Sequence, residues 1–554
     1  MRFFEFHPRG REIRFQVVRD MSGGTDLEAS ARIVLLPQDD APRVDFSPSL
    51  VPFSPELKTQ RQWILVRGGE AVCYLPEGRY LALATAGPLD SVEQWMVPAT
   101  GPVEHRFRIR REVQLPRHAT VDFHVHGAAS LDSLVPLMER VWSFLAAGVD
   151  ILVATDHGTI TDYRPLIKRT PAARGRIRSI PGVETGSLRK GQRHFGHWGV
   201  WPLEPDSSAP EGTNGRRTRR GALRPIRKEW QLRENPADES VPRMYEAYRR
   251  RAYELARRAG RLDQQTEPII ELNHPRGIDR HPQWPAPARV HDWFNKVEFR
   301  PDQPIPTAGD LEAPNGGLLR PAPGGTTGLD FDVLEIWNRN SRRLYMEVRR
   351  DWFALLNQGF VRTGVANTDT HSMARVLPGY PQNVVFLPPA VQGGPQVSNR
   401  DLAAAVRSGH VVGTDGPVPL LEVAAVPQET GSVAAGPGDL LSAPLGKVRV
   451  ELEVQAASWV PLGPLRIWVN GEVVATRGPG TRHATVLLTL NEDAWILAEV
   501  GDPMAVPNGQ PLPGIYGQVA PLGMALGFTN PVLVDQDGNG HFDPPGLKPA
   551  SLLR

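Results

Sequence analysis

Apolar and polar residues alternate along the first part of the chain, in short runs that end at Gly, Pro or Asp. Such runs include REIRFQVVRD, SARIVLLPQ, RQWILVRGG and RYLALATAG. Strict alternation bounded by turn residues is typical of strands that bury one face. The pattern therefore predicts a small β-sandwich over residues 1–117.

The period of the pattern changes near residue 118. Apolar runs that predict buried strands, such as ATVDFHVH and VDILVATDHG, now alternate with amphipathic segments that predict helices. The segment SLDSLVPLMERVWSFLAAG carries Leu134, Leu137, Val141 and Leu145 on one stripe, and the helix VPRMYEAYRRRAYELARRAG ends at Gly260. Alternating strands and helices favour a parallel α/β barrel. We expect it over residues 118–425.

Short β-type runs return towards the C-terminus, among them GKVRVELEVQAA, LRIWVNGEVVAT and AWILAEVGD. They predict a second sandwich over residues 426–554, with VNGEV as a hairpin of the Asn-Gly kind. Residues 204–240 and 300–328 match neither pattern. We expect them to be long loops, which are usually functional or disordered.

Composition narrows the class of protein. The chain has 554 residues, a net charge of +2 and one cysteine, Cys73, which reads as a small buried residue in a strand. The near-neutral balance does not favour a nucleic-acid partner. There is no leader-like N-terminus and no apolar stretch long enough to span a bilayer. We expect a soluble, cytoplasmic protein with a small-molecule substrate and no membrane partner; the oligomeric state stays open.

Metal-binding residue types recur at the predicted strand ends. His124 and His126 in DFHVHG are two apart, so on a strand they face one space. The carboxyl ends of barrel strands surround one mouth. The other residues at these ends are Asp156 and His157 in ATDHG, Glu184 in PGVET, His197 in HFGHWGVWPL, His274 in IIELNHPRG, and Asp369 and His371 in NTDTHS.

One such residue alone is usually structural: a histidine is hydrogen-bonded, or an aspartate caps a helix. Repetition on five strands instead favours a metal centre. Imidazole and carboxylate without thiolate suit Zn²⁺, Mn²⁺ or Fe²⁺ and argue against an iron–sulfur cluster. The candidates exceed what one ion can use, so we expect two or three divalent ions, with Glu184 bridging two of them.

The motifs HVH, TDHG, PGVE, NHPRG and NTDTH, in this order, resemble the PHP (polymerase and histidinol phosphatase) superfamily. That resemblance covers about residues 118–420 and implies a distorted seven-stranded barrel with a multinuclear metal site. GHWGVWPL, FDVLEIWN and LVDQDGNGHFDPPG, with β domains on both sides, are similar to the carbaryl-hydrolase branch. The ligands that the resemblance implies are His124, His126, Glu184 and Asp369 for one ion, Glu184, His197 and His274 for a second, and His157 and His371 for a third.

The third ion stays open at this stage. Some PHP members supply a further ligand from the loop after the first HxH motif, but here that loop reads GAASLD and has no histidine. Asp132 could substitute for it. We expect it instead to cap the following helix.

Smaller signals each have two interpretations. Arg276, next to His274, would clamp a substrate oxygen as a catalytic residue or form a salt bridge at the barrel rim. Glu335 would lie behind the ligands or contact substrate, and His194 would donate a proton or lie at the surface. The basic run from Arg216 to Lys228 reads as a lid or a solvated loop. DQDGNG reads as a turn, because Gly546 stands where a calcium loop needs an acid.

These observations predict a metal-dependent hydrolase in which a metal-bridging hydroxide attacks phosphorus or a carbonyl carbon, with Arg276 stabilising the developing charge. No G-x-S-x-G elbow is present. The superfamily implies phosphoesters, and the branch implies a carbamate or ester. The alternative is a binding protein whose β domains recognise a glycan or a protein partner, with the barrel a metal-binding relic.

Overall fold

The computed structural model describes most of the chain. The described residues are 10–20, 26–44, 63–130, 132–185, 196–205, 216–217, 223–224, 241–264, 266–277, 292–306, 310–322, 324–373, 376–427, 434–507 and 510–547.

Two four-stranded sheets form the N-terminal part. Strand β1 pairs with β2, β5 and β8, while the other sheet has the order β4-β3-β6-β7. Buried side chains of both sheets, such as Phe15 and Ile33, form one core between them. The buried Cys73 lies in this part, in a strand as predicted. The strands are β1 (Arg11–Arg19), β2 (Leu27–Glu28), β3 (Ala31–Pro37), β4 (Trp63–Val66), β5 (Glu70–Leu75), β6 (Tyr80–Thr85), β7 (Val92–Val97) and β8 (Val103–Ile109).

The middle of the chain mixes strands and helices. The strands are β9 (His118–Val125), β10 (Ile151–Ala154), β11 (Arg178–Pro181), β12 (Val183–Thr185), β13 (His197–Trp201), β14 (Arg216–Arg217), β15 (Leu223–Arg224), β16 (Ile269–Asn273), β17 (Val333–Asn338), β18 (Thr363–Asn367), β19 (Gln382–Phe386) and β20 (Val411–Thr414). The helices are α1 (Leu137–Leu145), α2 (Arg164–Arg169), α3 (Val241–Arg258), α4 (Trp293–Lys296), α5 (Arg342–Leu356) and α6 (Asn399–Arg407).

The C-terminal part is mostly β. The Asn-Gly hairpin forms as predicted: Asn470 and Gly471 both have positive φ and join two antiparallel strands, β24 and β25. Its elements are β21 (Val418–Ala425), β22 (Leu440–Ser442), β23 (Lys447–Gln455), β24 (Leu465–Val469), β25 (Glu472–Arg477), β26 (His483–Thr489), β27 (Ala494–Val500), α7 (Gly514–Val519), β28 (Gly527–Thr529) and β29 (Val532–Asp535).

Sheet pairing links the middle and C-terminal parts. Strands β11, β10, β9, β19, β20, β28, β27, β24 and β25 follow one another in an eleven-stranded sheet, which β22 and β29 complete. A five-stranded sheet has the order β12-β13-β16-β17-β18. Strand β21 pairs with β23, so it contributes to a C-terminal sheet although it precedes residue 426. The predicted mixed α/β architecture is confirmed, with strands more abundant than helices.

Two local predictions need correction. The middle strands are not all parallel: β13 runs antiparallel to both of its neighbours, β12 and β16. The first predicted helix is also shorter, because it begins only after Pro136, and Leu134 lies outside it with 62% of its surface exposed. Proline has no amide hydrogen and is tolerated only at a helix start. Within the described ranges, no helix has the length and apolar character needed to cross a membrane.

Candidate metal centre

The eight predicted ligands converge at one end of the middle strands. His124 lies in β9 and Glu184 in β12, while His274 and Asp369 follow the ends of β16 and β18. His197 is the first residue of β13, not the last. Because β13 runs antiparallel to its neighbours, its beginning lies at the same edge as their ends.

A first group of ligand atoms surrounds Oε2 of Glu184. This oxygen lies 3.3 Å from Nε2 of His124 and 3.2 Å from Nε2 of His126. Oδ1 of Asp369 lies 3.4 and 3.3 Å from the same two nitrogens. All four side chains are almost fully buried. The group is the one expected for the first ion.

A second group surrounds the other oxygen of Glu184. Oε1 lies 3.0 Å from Nδ1 of His197 and 3.1 Å from Nε2 of His274. The same oxygen accepts a hydrogen bond of 3.0 Å from Nδ2 of Asn273. Each carboxylate oxygen of Glu184 therefore faces a different set of histidines, which is the arrangement expected of a bridging ligand.

A third group contains Asp132. Its Oδ2 lies 3.1 Å from Nε2 of His157 and 2.9 Å from Nε2 of His371. Nδ1 of His157 lies 3.1 Å from Oε2 of Glu184, so this group adjoins the first. The expectation that Asp132 caps a helix is wrong, because Pro136 occupies that position before α1. Together with His126, these residues form a group that could hold a metal ion.

Hydrogen bonds fix which ring nitrogens of the first group face inward. Nδ1 of His124 lies 3.0 Å from Oε1 of Glu335, an acceptor, so it carries the proton. The hydroxyl of Ser130 donates to Asp132 at 2.8 Å, so its oxygen accepts from Nδ1 of His126 at 3.1 Å. When these rings are neutral, Nε2 of each therefore carries the lone pair. Histidines whose other nitrogen is held by an acceptor in this way are typical of metal sites.

The inward atoms have few donors around them. The two Nε2 atoms of His124 and His126 lie 3.0 Å apart, and the amide nitrogen of Asn273 lies 3.4 Å from Nε2 of His124. Oε2 of Glu184 and Oδ1 of Asp369 are buried and accept no hydrogen bond from any described residue. Protons on the imidazoles or a cation between these atoms would satisfy the carboxylate oxygens, and the spacing of the ligand atoms is that of a metal site. This fit, with nitrogen and oxygen ligands only, suits the divalent ions Zn²⁺, Mn²⁺ and Fe²⁺.

The pKa shifts divide the histidines of the cluster into two sets. Although burial opposes the shift, the neighbouring carboxylates raise the pKa of His124 and His274, and that of His126 to about 9, so an incoming cation would displace protons from these rings. Burial lowers the pKa of His197 to about 4 although Glu184 opposes the shift. Burial and the neighbouring His126 lower the pKa of His371 to about 4 as well. Both rings are therefore neutral at pH 7, the form that coordinates a metal. The pKa of Glu184 lies well below its ordinary value, because the surrounding histidines outweigh its burial.

Arg276 does not face this cluster. Its Nε and Nη2 donate to Asp351 at 2.6 and 2.7 Å, Nη1 donates to Asn295 at 2.9 Å, and Nη2 also donates to the carbonyl of Phe299 at 3.0 Å. Four of the five guanidinium N–H groups are thus used within the protein. The structure has the salt bridge that was the alternative, so the substrate-clamping role of Arg276 is dropped.

Arg339 also borders the site and was not among the residues predicted from the sequence. Its Nε donates to Oδ2 of Asp369 at 2.8 Å, and Nη2 lies 3.3 Å from Nδ1 of His371. The side chain is 32% exposed, so part of the guanidinium faces outward. The available signal was its position directly after β17, at the edge where the ligands gather.

Three residues of the site have left-handed backbone conformations. His274, Asp369 and Arg339 have φ values of 27°, 45° and 56°. Non-glycine residues rarely adopt positive φ, and such strain concentrates at functional sites. Here it turns the chain sharply after β16, β17 and β18, which directs the three side chains towards one space.

Other predicted features lie elsewhere. His194 and most of the run from Arg216 to Lys228 lie outside the described residues. DQDGNG forms a turn in which Asp535 accepts backbone hydrogen bonds from Gly538, Asn539 and Gly540. Asp493, Asp535 and Asp537 lie close enough to form a further acidic group. Asp535 already has amide partners, which explains its burial without an ion.

Comparisons with known proteins did not identify a family for this chain. Neither the scan against protein-family models nor the search of curated proteins produced a match for this chain.

Proposed function

We propose that the protein is a metal-dependent hydrolase of the PHP superfamily. The observation that carries the proposal is the position of Glu184, whose two oxygens lie 3.0–3.3 Å from ring nitrogens of two different groups. A carboxylate placed in this way can hold two cations at a short, fixed separation. Pairs of ions so held are a recurrent device of hydrolytic enzymes.

Strand pairing supports the distorted seven-stranded barrel that this family implies. The seven barrel strands would be β9, β10, β11/β12, β13, β16, β17 and β18. Strands β11 and β12 count as one because only Gly182 separates them. Adjacent members pair in that order. Isolated bridges between His157 and Glu184 and between Val125 and Thr370 join the two sheets at their margins.

In this proposal, different residues of the chain hold the ions, orient the ligands and bind the substrate. Bound divalent ions would lower the pKa of water and act as Lewis acids towards the attacked group. Glu184 sets their separation, and Glu335 keeps Nε2 of His124 turned inward through the 3.0 Å contact to Nδ1. Arg339 neutralises Asp369, and in this proposal the exposed part of its guanidinium binds an anionic or carbonyl oxygen of the substrate.

Two substrate classes fit this chemistry: small phosphoesters, and aryl carbamates or esters. Both reactions develop negative charge on an oxygen that adjacent cations stabilise. The superfamily favours the first class and the carbaryl-hydrolase branch favours the second.

A substrate panel tests the proposal. Metal-replete protein would be assayed with an aryl phosphate monoester, an aryl phosphate diester, an aryl acetate and an aryl N-methylcarbamate. We expect turnover of at least one of them, loss on chelation and recovery when metal is restored. The Glu184→Gln variant is the matched control, because a contaminating hydrolase would not depend on it. Full metal content without turnover of any substrate contradicts the proposal and favours a binding protein.

A further inference from the structure

A cavity lies between the N-terminal sandwich and the middle part of the chain. Its enclosed part is small, because the volume of about 300 Å³ for the whole region includes open solvent at its mouth. Its polar wall includes Arg32 of β3, Trp63 of β4 and Tyr380, while Leu65, Ala146 and Leu377 supply apolar walls. None of its lining residues carries a carboxylate. The cavity is separate from the histidine cluster and shares no residue with it.

Arg32 is the unusual member of this wall. The residue is only 7% exposed, Nη2 donates to the carbonyl of Val519 at 2.7 Å, and Tyr380 is its other polar neighbour. Its Nε is buried without an acceptor, and so is the hydroxyl of Tyr380. No described carboxylate forms an ion pair with Arg32. A buried charge is normally paired, so this guanidinium lacks its usual partner.

Aromatic rings compensate only part of the charge. The guanidinium lies 5.9 Å from the ring centroid of Trp63 and 5.4 Å from that of Tyr380. Cation–π contacts at these distances are favourable, but they do not supply an acceptor for the buried Nε–H of Arg32. The donors of Arg32 and Tyr380 line the cavity, so they mark the position at which a ligand with acceptor oxygens would bind.

We propose that this cavity binds a small organic monocarboxylate through Arg32. One guanidinium supplies one positive charge, so a singly charged anion balances it. A carboxylate matches the parallel N–H groups of arginine, and the Tyr380 hydroxyl can donate as well. The apolar walls at Leu65, Ala146 and Leu377 suit a short alkyl group. The inference rests on the cavity alone and does not depend on the proposed hydrolase activity.

A pair of variants at Leu65 separates charge from shape. Leu65 is half-buried on β4 and lines the cavity, so it tolerates a polar replacement. Leu65→Glu places a carboxylate beside Arg32 and would occupy the anion position from within the chain. Leu65→Gln has nearly the same size without the charge. Arg32→Met removes the cation itself and keeps much of the volume.

Calorimetric titration of the full-length protein with acetate is the test, with acetamide as the neutral analogue. We expect one saturable acetate site in the wild type and in Leu65→Gln. Binding should be at least tenfold weaker for acetamide, for Arg32→Met and for Leu65→Glu. Should Arg32→Met fail to fold, the two Leu65 variants decide.

Three results would overturn the inference. The first is the absence of saturable acetate binding to the wild type. The second is undiminished binding in Leu65→Glu, which would assign acetate to another site such as the histidine cluster. The third is an equal loss of acetate affinity in both Leu65 variants, which would mean that the shape of the cavity and not its charge determines binding.

Discussion

Arg339 and Asp369 form an ion pair at the margin of the histidine cluster, with Nη2 of Arg339 2.7 Å from Oδ2 of Asp369. The pair holds one carboxylate oxygen away from the cluster and leaves the other, Oδ1, 3.3 Å from Nε2 of His126. The arginine therefore orients a proposed ligand, and its charge offsets part of the negative charge that burial makes costly.

Replacing Arg339 should weaken metal binding. We expect Arg339→Ala to lower the affinity for the divalent ion about 10- to 100-fold, the range for lost partners of metal ligands. Arg339→Lys keeps the charge but not the forked geometry, so its metal affinity should lie between those of the wild type and Arg339→Ala. Competition with a chelating dye measures both. Arg343→Ala is the control, since Arg343 is 62% exposed and pairs with Glu347; an equal effect in it would contradict the role of Arg339.

Asp132 should determine the third equivalent of metal. Asp132→Asn removes the charge beside His157 and His371 but leaves both groups around Glu184 intact. We expect the metal content of the chain to fall by about one equivalent while the rest is retained, because a ligand of only one ion is lost. Elemental analysis of metal-replete protein checks this. Asp162→Asn, at a carboxylate that pairs with Arg164, should change nothing, and unchanged content in Asp132→Asn would contradict the role of the Asp132 charge in a third site.

Arg276 should matter for stability and not for metal binding. Arg276→Met leaves Asp351, which is 2% exposed, without its partner, and a broken buried pair costs about 3 kcal/mol. We expect a lower midpoint of urea unfolding with unchanged metal content. The double variant Arg276→Met/Asp351→Leu should recover much of the stability. Normal stability combined with slow turnover in Arg276→Met would restore the substrate-clamping interpretation.

The sequence indicated the cluster well because its ligands follow buried strands. The motifs around His124, Glu184 and His274 each combine an apolar run with a turn, which fixes their position at a strand end. The Asn-Gly hairpin was readable for a similar reason, since its geometry depends on two adjacent residues.

The roles of residues that depend on partners distant in the sequence could not be predicted. The partner of Arg276, Asp351, lies 75 positions along the chain, whereas its neighbour in sequence, His274, suggested a catalytic role. Asp132 was misassigned because its role depends on the late start of α1 at Pro136. The direction of β13 depends on pairing across the sheet, which alternating strand and helix patterns do not encode.

Glu271 should make stability depend on pH. It is fully buried, and Nδ2 of Asn367 donates to it at 2.6 Å. Burial, and then the charge of Glu335, raise its pKa to about 8 from the ordinary value of 4.5. Because the folded pKa is the higher one, the stabilisation is fully present below pH 4.5 and is lost as the pH rises through about 8.

Glu271→Gln removes this titration while it keeps the size of the side chain. We expect the wild type to lose stability relative to the variant as the pH rises between those two values. Urea unfolding midpoints of both proteins, measured across this range, test the prediction. Parallel curves would mean that Glu271 is ionised in the folded protein at neutral pH.

The metal content of the wild type and of Glu184→Gln after metal-replete purification is the decisive measurement for the bridging role of Glu184. Glutamine keeps the size but loses the charge and one of the two coordinating oxygens. We predict more than one equivalent of divalent metal per chain in the wild type, loss of at least one ion in the variant, and turnover reduced at least about a hundredfold. Glu271→Gln is the buried control and should keep its metal. Full metal content and near-normal turnover in Glu184→Gln would contradict the bridging role and the mechanism that rests on it.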